Sequence, residues 1–217
     1  MRLRYWIESA LDITAGTLIG SAAYAVVMNW QSGDFSIQEC LAAAALFTVV
    51  FGGLMALLMN IAVYSGMLPV CLSFGSTRKE ALLGMQLYQL IPALACSGLA
   101  ALVFTFVKGN HEVPPVMAFC IGMASFLIMG ALGSVAGMRQ TKYGNKACAA
   151  AVFVGIDILA LIVVAVVVIV RFSTEGQIKE ALFSPVFYGS LLLAGIAVHC
   201  LCLIQERKAI NQHGVKL

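Results

Sequence analysis

LPVCLSFGSTRKEALLGMQ, residues 68–86, is the polar interruption that sets the reading of the whole chain. Pro69 fits the first turn of a short helix over Leu68–Phe74, because a first-turn N–H has no intrahelical acceptor to lose. Gly75 offers a backbone position open to positive φ, the usual end of such a helix. Thr77 and Glu80 have capping-box spacing: the threonine oxygen accepts the glutamate amide, and the glutamate carboxylate reaches back to the threonine amide. The pattern predicts a short helix, a tight corner bearing Arg78 and Lys79, and a new helix running from Arg78 into the next apolar run. A segment that merely joined two apolar runs would need none of these features.

The corner lies in a hydrocarbon-rich chain. Of 217 residues, 61% are hydrophobic and 11% charged, and the mean hydropathy is +0.97. Soluble domains carry about 25% charged residues. Apolar runs of spanning length recur at roughly 9–29, 41–63, 86–107, 115–137, 147–170 and 186–204, each near the ~20 residues that cross a bilayer. The expectation is an all-α polytopic membrane protein with six transmembrane helices in one transmembrane domain over 1–217, and no separate soluble domain. The basic residues fall unevenly. Arg2, Arg4, Arg78, Lys79, Arg139, Lys142, Lys146, Arg207, Lys208 and Lys216 lie on one side of this topology, and Lys108, Arg171 and Lys179 on the other. The richer side faces the cytoplasm under the positive-inside rule, which predicts both termini inside. The net charge of +3 reflects this sidedness and does not indicate nucleic acid.

Several local features refine that topology. Ala23-Tyr24-Ala25 resembles a cleavage site, but the apolar run continues past it to Met28, so an uncleaved span is expected. Leu3, Trp6, Ile7 and Leu11 recur at helical spacing between charged residues. They suit either a short interfacial helix with Tyr5 and Trp6 at headgroup depth or the start of the first span. Gly16-x-x-x-Gly20 and Gly133-x-x-x-Gly137 offer close helix contact. In RFSTEGQIKEALFSPVFYGS, residues 171–190, Ser173 or Thr174 can cap a short re-entrant helix over Glu175–Leu182, broken at Pro185. The seven cysteines contain no C-x-x-C pair, so they read as small apolar packing residues rather than as a metal or redox site.

Enzyme signatures are sparse. The chain lacks a phosphate-binding G-x-x-x-x-G-K-[ST] and an H-E-x-x-H. Ser97 in span three and His199 in span six are the nearest approach to an intramembrane serine protease. They resemble the Ser/His pair of rhomboid proteases, although the leading glycine of the family's G-x-S-G motif is absent from Ala95-Cys96-Ser97-Gly98. Two acids lie in or beside spans. Asp12 reads as a snorkelling or paired interfacial residue. Asp157 falls near the bilayer centre, at a depth of roughly 15 Å counted from Ala147, where an ionised carboxylate costs at least about 2.5 kcal/mol. It is read as an interhelical hydrogen-bonding residue or as part of a translocation or proton path. A proton-coupled carrier using Asp157 is therefore the alternative functional reading.

Taken with six spans and an interfacial N-terminal helix, LSFGSTRKEALLG resembles the coupling loop between spans two and three of ABC-2-type permeases. Gly75, Thr77, Arg78, Lys79 and Glu80 stand at the matching places. The resemblance implies the transmembrane subunit of an ATP-driven exporter in a bacterial plasma membrane. Loop 67–84 would dock on a separate ATPase subunit, with Leu72, Ser73, Phe74, Gly75, Thr77, Arg78, Lys79 and Glu80 as the coupling residues. It further implies a second permease, identical or homologous, surrounding membrane lipid, and alternating access driven from outside the chain. This chain would supply no catalytic residue and bind no metal or cofactor. ATP and Mg²⁺ would belong to the partner ATPase.

Overall fold

The computed structural model describes residues 3–31, 36–107, 113–143 and 184–212. The predicted fifth span over 147–170 with Asp157, and the short helix over Glu175–Leu182, lie outside the described residues. Among the described residues the chain is helical throughout: α1 Leu3–Gln31, α2 Ile37–Ala62, a π-helical turn Val63–Met67, α3 Leu68–Ser73, α4 Arg78–Phe106, α5 Pro115–Tyr143 and α6 Pro185–Gln212. Five of these helical segments are long and apolar enough to cross a membrane: Leu3–Gln31, Ile37–Ser73, Arg78–Phe106, Pro115–Thr141 and Pro185–Lys208. They contain the predicted spans 9–29, 41–63, 115–137 and 186–204, and that at 86–107 except its last residue, Val107.

Two boundaries differ from expectation. The amphipathic start is not a separate interfacial helix, because α1 runs unbroken from Leu3 through Ala23-Tyr24-Ala25 to Gln31. Trp6 is turned into the bundle and only 2% exposed. Its ring meets Tyr88 edge-on at 6.0 Å and lies over Gly84, where any side chain would collide with it. Burying the indole in this socket binds the first turns of α1 to α4, so the helix continues. Tyr5, by contrast, stays exposed, as does Asp12, while Arg4 pairs with Glu8 at 2.7 Å.

The second difference concerns the predicted separate helix over Leu68–Phe74. It ends one residue earlier, at Ser73, and continues α2 through the π turn to make one segment from Ile37 to Ser73. Pro69 accounts for the π turn. Proline has no N–H for the preceding turn, and its ring crowds the carbonyl four residues back. A wider turn relieves that crowding, and here the Leu68 N–H reaches five residues back to the Val63 carbonyl.

Packing fixes the directions of the helices. Gly52 and Gly53 of α2 face Phe126 and Ser125 of α5, while Gly133 and Gly137 of α5 face Leu57 and Tyr64, so α2 and α5 run parallel. Gly195 of α6 sits on Ala124 of α5, and the Cys202 thiol lies 3.5 Å from the Ala131 carbonyl; α6 is also parallel to α5. Helix α4 is antiparallel to α5, since Gly122 meets Ser97 and Gly130 meets Gln89. One cluster joins Trp6, Tyr64, Leu68, Cys71, Ala81, Met85 and Ile210. The start of α1 and the end of α6 therefore share the end of the bundle that carries the α3–α4 corner.

The glycine pairs separate into two kinds. A Cβ at Gly137 would stand 2.7 Å from Tyr64 Cβ and 3.1 Å from the Ile61 carbonyl oxygen, so α5 and α2 touch backbone to backbone there. Gly16 and Gly20 meet nothing within 4 Å among the described residues. Gly137→Leu is thus expected to destabilise the protein by about 1–3 kcal/mol or more, as overpacking does, lowering the thermal midpoint in detergent. Gly16→Ala should leave that midpoint nearly unchanged.

Candidate functional site

The corner is built by two interlocking caps. At the end of α3 the Ser76 amide donates to the Cys71 carbonyl at 3.1 Å, and the Gly75 amide donates to that of Leu72 at 3.2 Å. This is the Schellman pairing, which needs a left-handed residue at its centre; Gly75 has φ 83°. Two residues later Thr77 starts α4. The Glu80 amide donates to Thr77 Oγ1 at 3.2 Å, and the Thr77 amide donates to Glu80 Oε2 at 3.0 Å. Both predicted devices are therefore present. The turn from α3 into α4 is fixed by backbone and side-chain hydrogen bonds rather than left to the loop.

The caps decide what the corner presents. Leu68 and Cys71 are buried against α1 and α4, and Leu72 packs on the same cluster. Of the two apolar residues in the expected coupling set, Leu72 is thus partly used to seat α3, and Phe74 is the exposed one at 71%. Ser73, Gly75, Thr77, Arg78, Lys79 and Glu80 are exposed around it. Val70 and Leu83 flank the corner at 44% and 53% exposure, so an apolar centre with a basic edge faces outward. Beside it, Tyr5, Ala62, Gly66, Met67, Val70 and Cys71 line an open groove of about 270 Å³.

Ser97 and His199 are not brought together as a catalytic pair. The Ser97 hydroxyl donates to the Ala93 carbonyl of its own helix, the ordinary use of a serine within a span. The serine packs against Gly122. His199 is buried, and its Nδ1 has no hydrogen-bond partner. Among the described residues no three His, Cys, Asp or Glu side chains are grouped to hold a metal ion.

Sequence reading missed a second polar site, centred on Glu206. The predicted sixth span stops at 204, which leaves Glu206 in a charged tail beside Arg207 and Lys208. Helix α6 instead continues to Gln212, and Glu206 is 2% exposed. The available signal was spacing: His199, Cys202, Glu206 and Ile210 are all buried and recur every three or four residues, on one helical face. Gln86 Nε2 of α4 donates to Glu206 Oε2 at 2.9 Å, and Cys202 Sγ lies 3.6 Å from Oε1. Deeper in, the Ser134 hydroxyl lies 3.4 Å from Asn60 Oδ1. Asn60 and Gln89 then border a small internal cavity of about 10 Å³ with Pro92 and Phe126.

Comparison with known protein families, with curated proteins and with solved structures finds no match to this chain.

The corner can be tested as local structure. Thr77→Ala removes the cap and is expected to cost about 1 kcal/mol, a roughly fivefold loss of amide-exchange protection in the first turn of α4. Gly75→Val should loosen the same residues further, because a β-branched residue is strained at positive φ. Protection across α5 should be unchanged in both.

Proposed function

We propose that the chain is the membrane subunit of an ATP-driven exporter of the ABC-2 type, and that its α3–α4 corner couples the bundle to a separate ATPase. The observation that carries this reading is the corner itself: an exposed phenylalanine beside Arg78 and Lys79, held by a glycine of positive φ and a capping box at the tip of two spanning-length helices. A contact that transmits force must not yield before the elements behind it move. Here α3 is continuous with α2, and α4 leaves the corner as one helix of 29 residues, so displacing Phe74 displaces both helices.

In this mechanism ATP binding brings the ATPases together and shifts the paired corners. The bundle then changes the side to which it opens. Phe74 fills an apolar groove on the ATPase, with Val70 and Leu83 at its margin. Arg78 and Lys79 meet acidic residues of that subunit or lipid phosphate. Leu72 and Cys71 hold α3 to the bundle. The sequence has no G-x-x-x-x-G-K-[ST], and in this reading ATP and Mg²⁺ reside on the partner while a second permease completes the path.

The proposed topology has six spans with both termini in the cytoplasm of a bacterial plasma membrane. The ten-to-three distribution of Lys and Arg supports the orientation. The parallel run of α5 and α6 supports the sixth span: the chain leaves α5 at the corner end and enters α6 at the opposite end, and the apolar stretch 147–170 supplies the return. Asp157 lies on that stretch as a path or interhelical residue.

Two measurements test the reading. With Ser76→Cys, an impermeant thiol reagent should label the corner only after permeabilisation, while Cys40, on the opposite side, reacts in intact cells. Labelling of residue 76 in intact cells would reverse the topology. In mild detergent an ATPase should co-purify with the wild type. Phe74→Ala should weaken that association by roughly 2 kcal/mol, about thirtyfold, as removal of a central aromatic anchor does. Gly75→Val should insert normally but uncouple hydrolysis from export. Wild-type association and export in both variants would rule out the corner as the coupling element.

A further inference from the structure

Glu206 is faced by side chains from three other elements and, among the described residues, by no counter-charge. Gln86 of α4 donates to it, and Ser134 of α5 and Tyr64 of the π turn face the same carboxyl. Cys202, one turn earlier on α6, touches its second oxygen. The Tyr64 hydroxyl is buried beside the carboxyl without reaching hydrogen-bonding geometry. Among the described residues no Lys, Arg or His forms an ion pair with Glu206, the one such pair being Arg4–Glu8. Arg207 and Lys208 on α6 and Arg139 on α5 are exposed. Among the described residues, Tyr64 and Cys202, both neutral as ordinary side chains, are the other titratable groups that face it.

A buried carboxylate without a cation loses its hydration and gains no ion pair in return. Such a group takes up a proton instead. The neutral acid is well served here. One oxygen accepts the Gln86 amide hydrogen, and the acid O–H faces the hydroxyl oxygen of Ser134, whose own hydrogen is directed to Asn60. We propose that Glu206 is a proton-binding site within the bundle, and that its bound proton keeps α6 closed on α4 and α5 at the corner end. The proton enters from water at that end and leaves by the same way. The resulting carboxylate, no longer matched by neutral partners, draws the last turns of α6 toward solvent. The inference does not depend on the chain acting with an ATPase.

The experiment uses the purified full-length chain in lipid nanodiscs, titrated from acid to alkaline pH. Infrared difference spectra should contain the C=O stretch of a protonated carboxylic acid that is absent from Glu206→Gln and is lost as pH rises. In Gln86→Leu, which removes a donor able to stabilise the carboxylate, the band should persist about one pH unit higher. Labelling of buried Cys202 is read relative to exposed Cys200. In the wild type that ratio should rise by about tenfold as the band disappears, the factor equivalent to roughly 1.4 kcal/mol of lost closure. In Glu206→Gln it should stay low throughout. Superimposable infrared spectra of wild type and Glu206→Gln, or a Cys202 ratio in the wild type that does not follow pH, would overturn the proposal. So would a carboxylate band at every pH that shifts on adding sodium, which would assign the site to a metal cation.

Discussion

Close approach of α5 to its neighbours is the constraint on which the rest of the bundle depends. In lipid, apolar side chains gain little by leaving one hydrocarbon environment for another, so helices associate through tight van der Waals contact and local polar bonds. Along α5 the contact positions are small. Gly122 receives Ser97, Gly130 receives Gln89, Gly133 and Gly137 receive α2, and Ala124 receives Gly195 of α6. Helices α2, α4 and α6 therefore converge on one axis. Helix α1 then packs on α2 and α4, through a buried edge of small or polar residues in which Trp6 is the exception.

The same closeness governs the polar side chains. Most satisfy themselves on their own helix: Thr14 on the Ala10 carbonyl, Thr48 on that of Ala44, and Asn60 on that of Ala56. Few bonds cross between helices, and these are informative about assembly. Ser21 and Thr48 join α1 to α2 at 2.9 Å, while Asn29 of α1 donates to the Ser36 carbonyl, just before α2, at 2.8 Å. Gln86 and Glu206 join α4 to α6. Such bonds align helices without requiring a charged residue in the lipid.

At the corner end these elements meet. Helix α4 begins at the capping box, carries the socket for Trp6 at Gly84, and two residues later holds Glu206 through Gln86. The groups proposed to receive force and the buried carboxyl proposed to hold a proton are thus separated by about two turns of one helix, roughly 12 Å. A displacement of the corner would be felt at α1 and α6 through side chains already in contact, with no long relay.

The sequence by itself determined the all-helical class, five helices long and apolar enough to cross a membrane, and the corner nearly to the residue. Those features follow from local chemistry: an apolar run must form a helix to satisfy its backbone in lipid, and Gly75, Thr77 and Glu80 act within a few residues of themselves. The tertiary structure decided what depends on neighbours distant in sequence. Trp6 was legible as an interfacial anchor, and only the space left by Gly84 turned it inward. Gly16–Gly20 and Gly133–Gly137 have the same spacing, yet only the second pair meets α2. Leu72 and Phe74 lie two residues apart in one motif, and packing against the bundle seats the first while exposing the second. Glu206 fell beyond the predicted sixth span because its burial comes from the π turn, α4 and α5, none of which is near it in the chain.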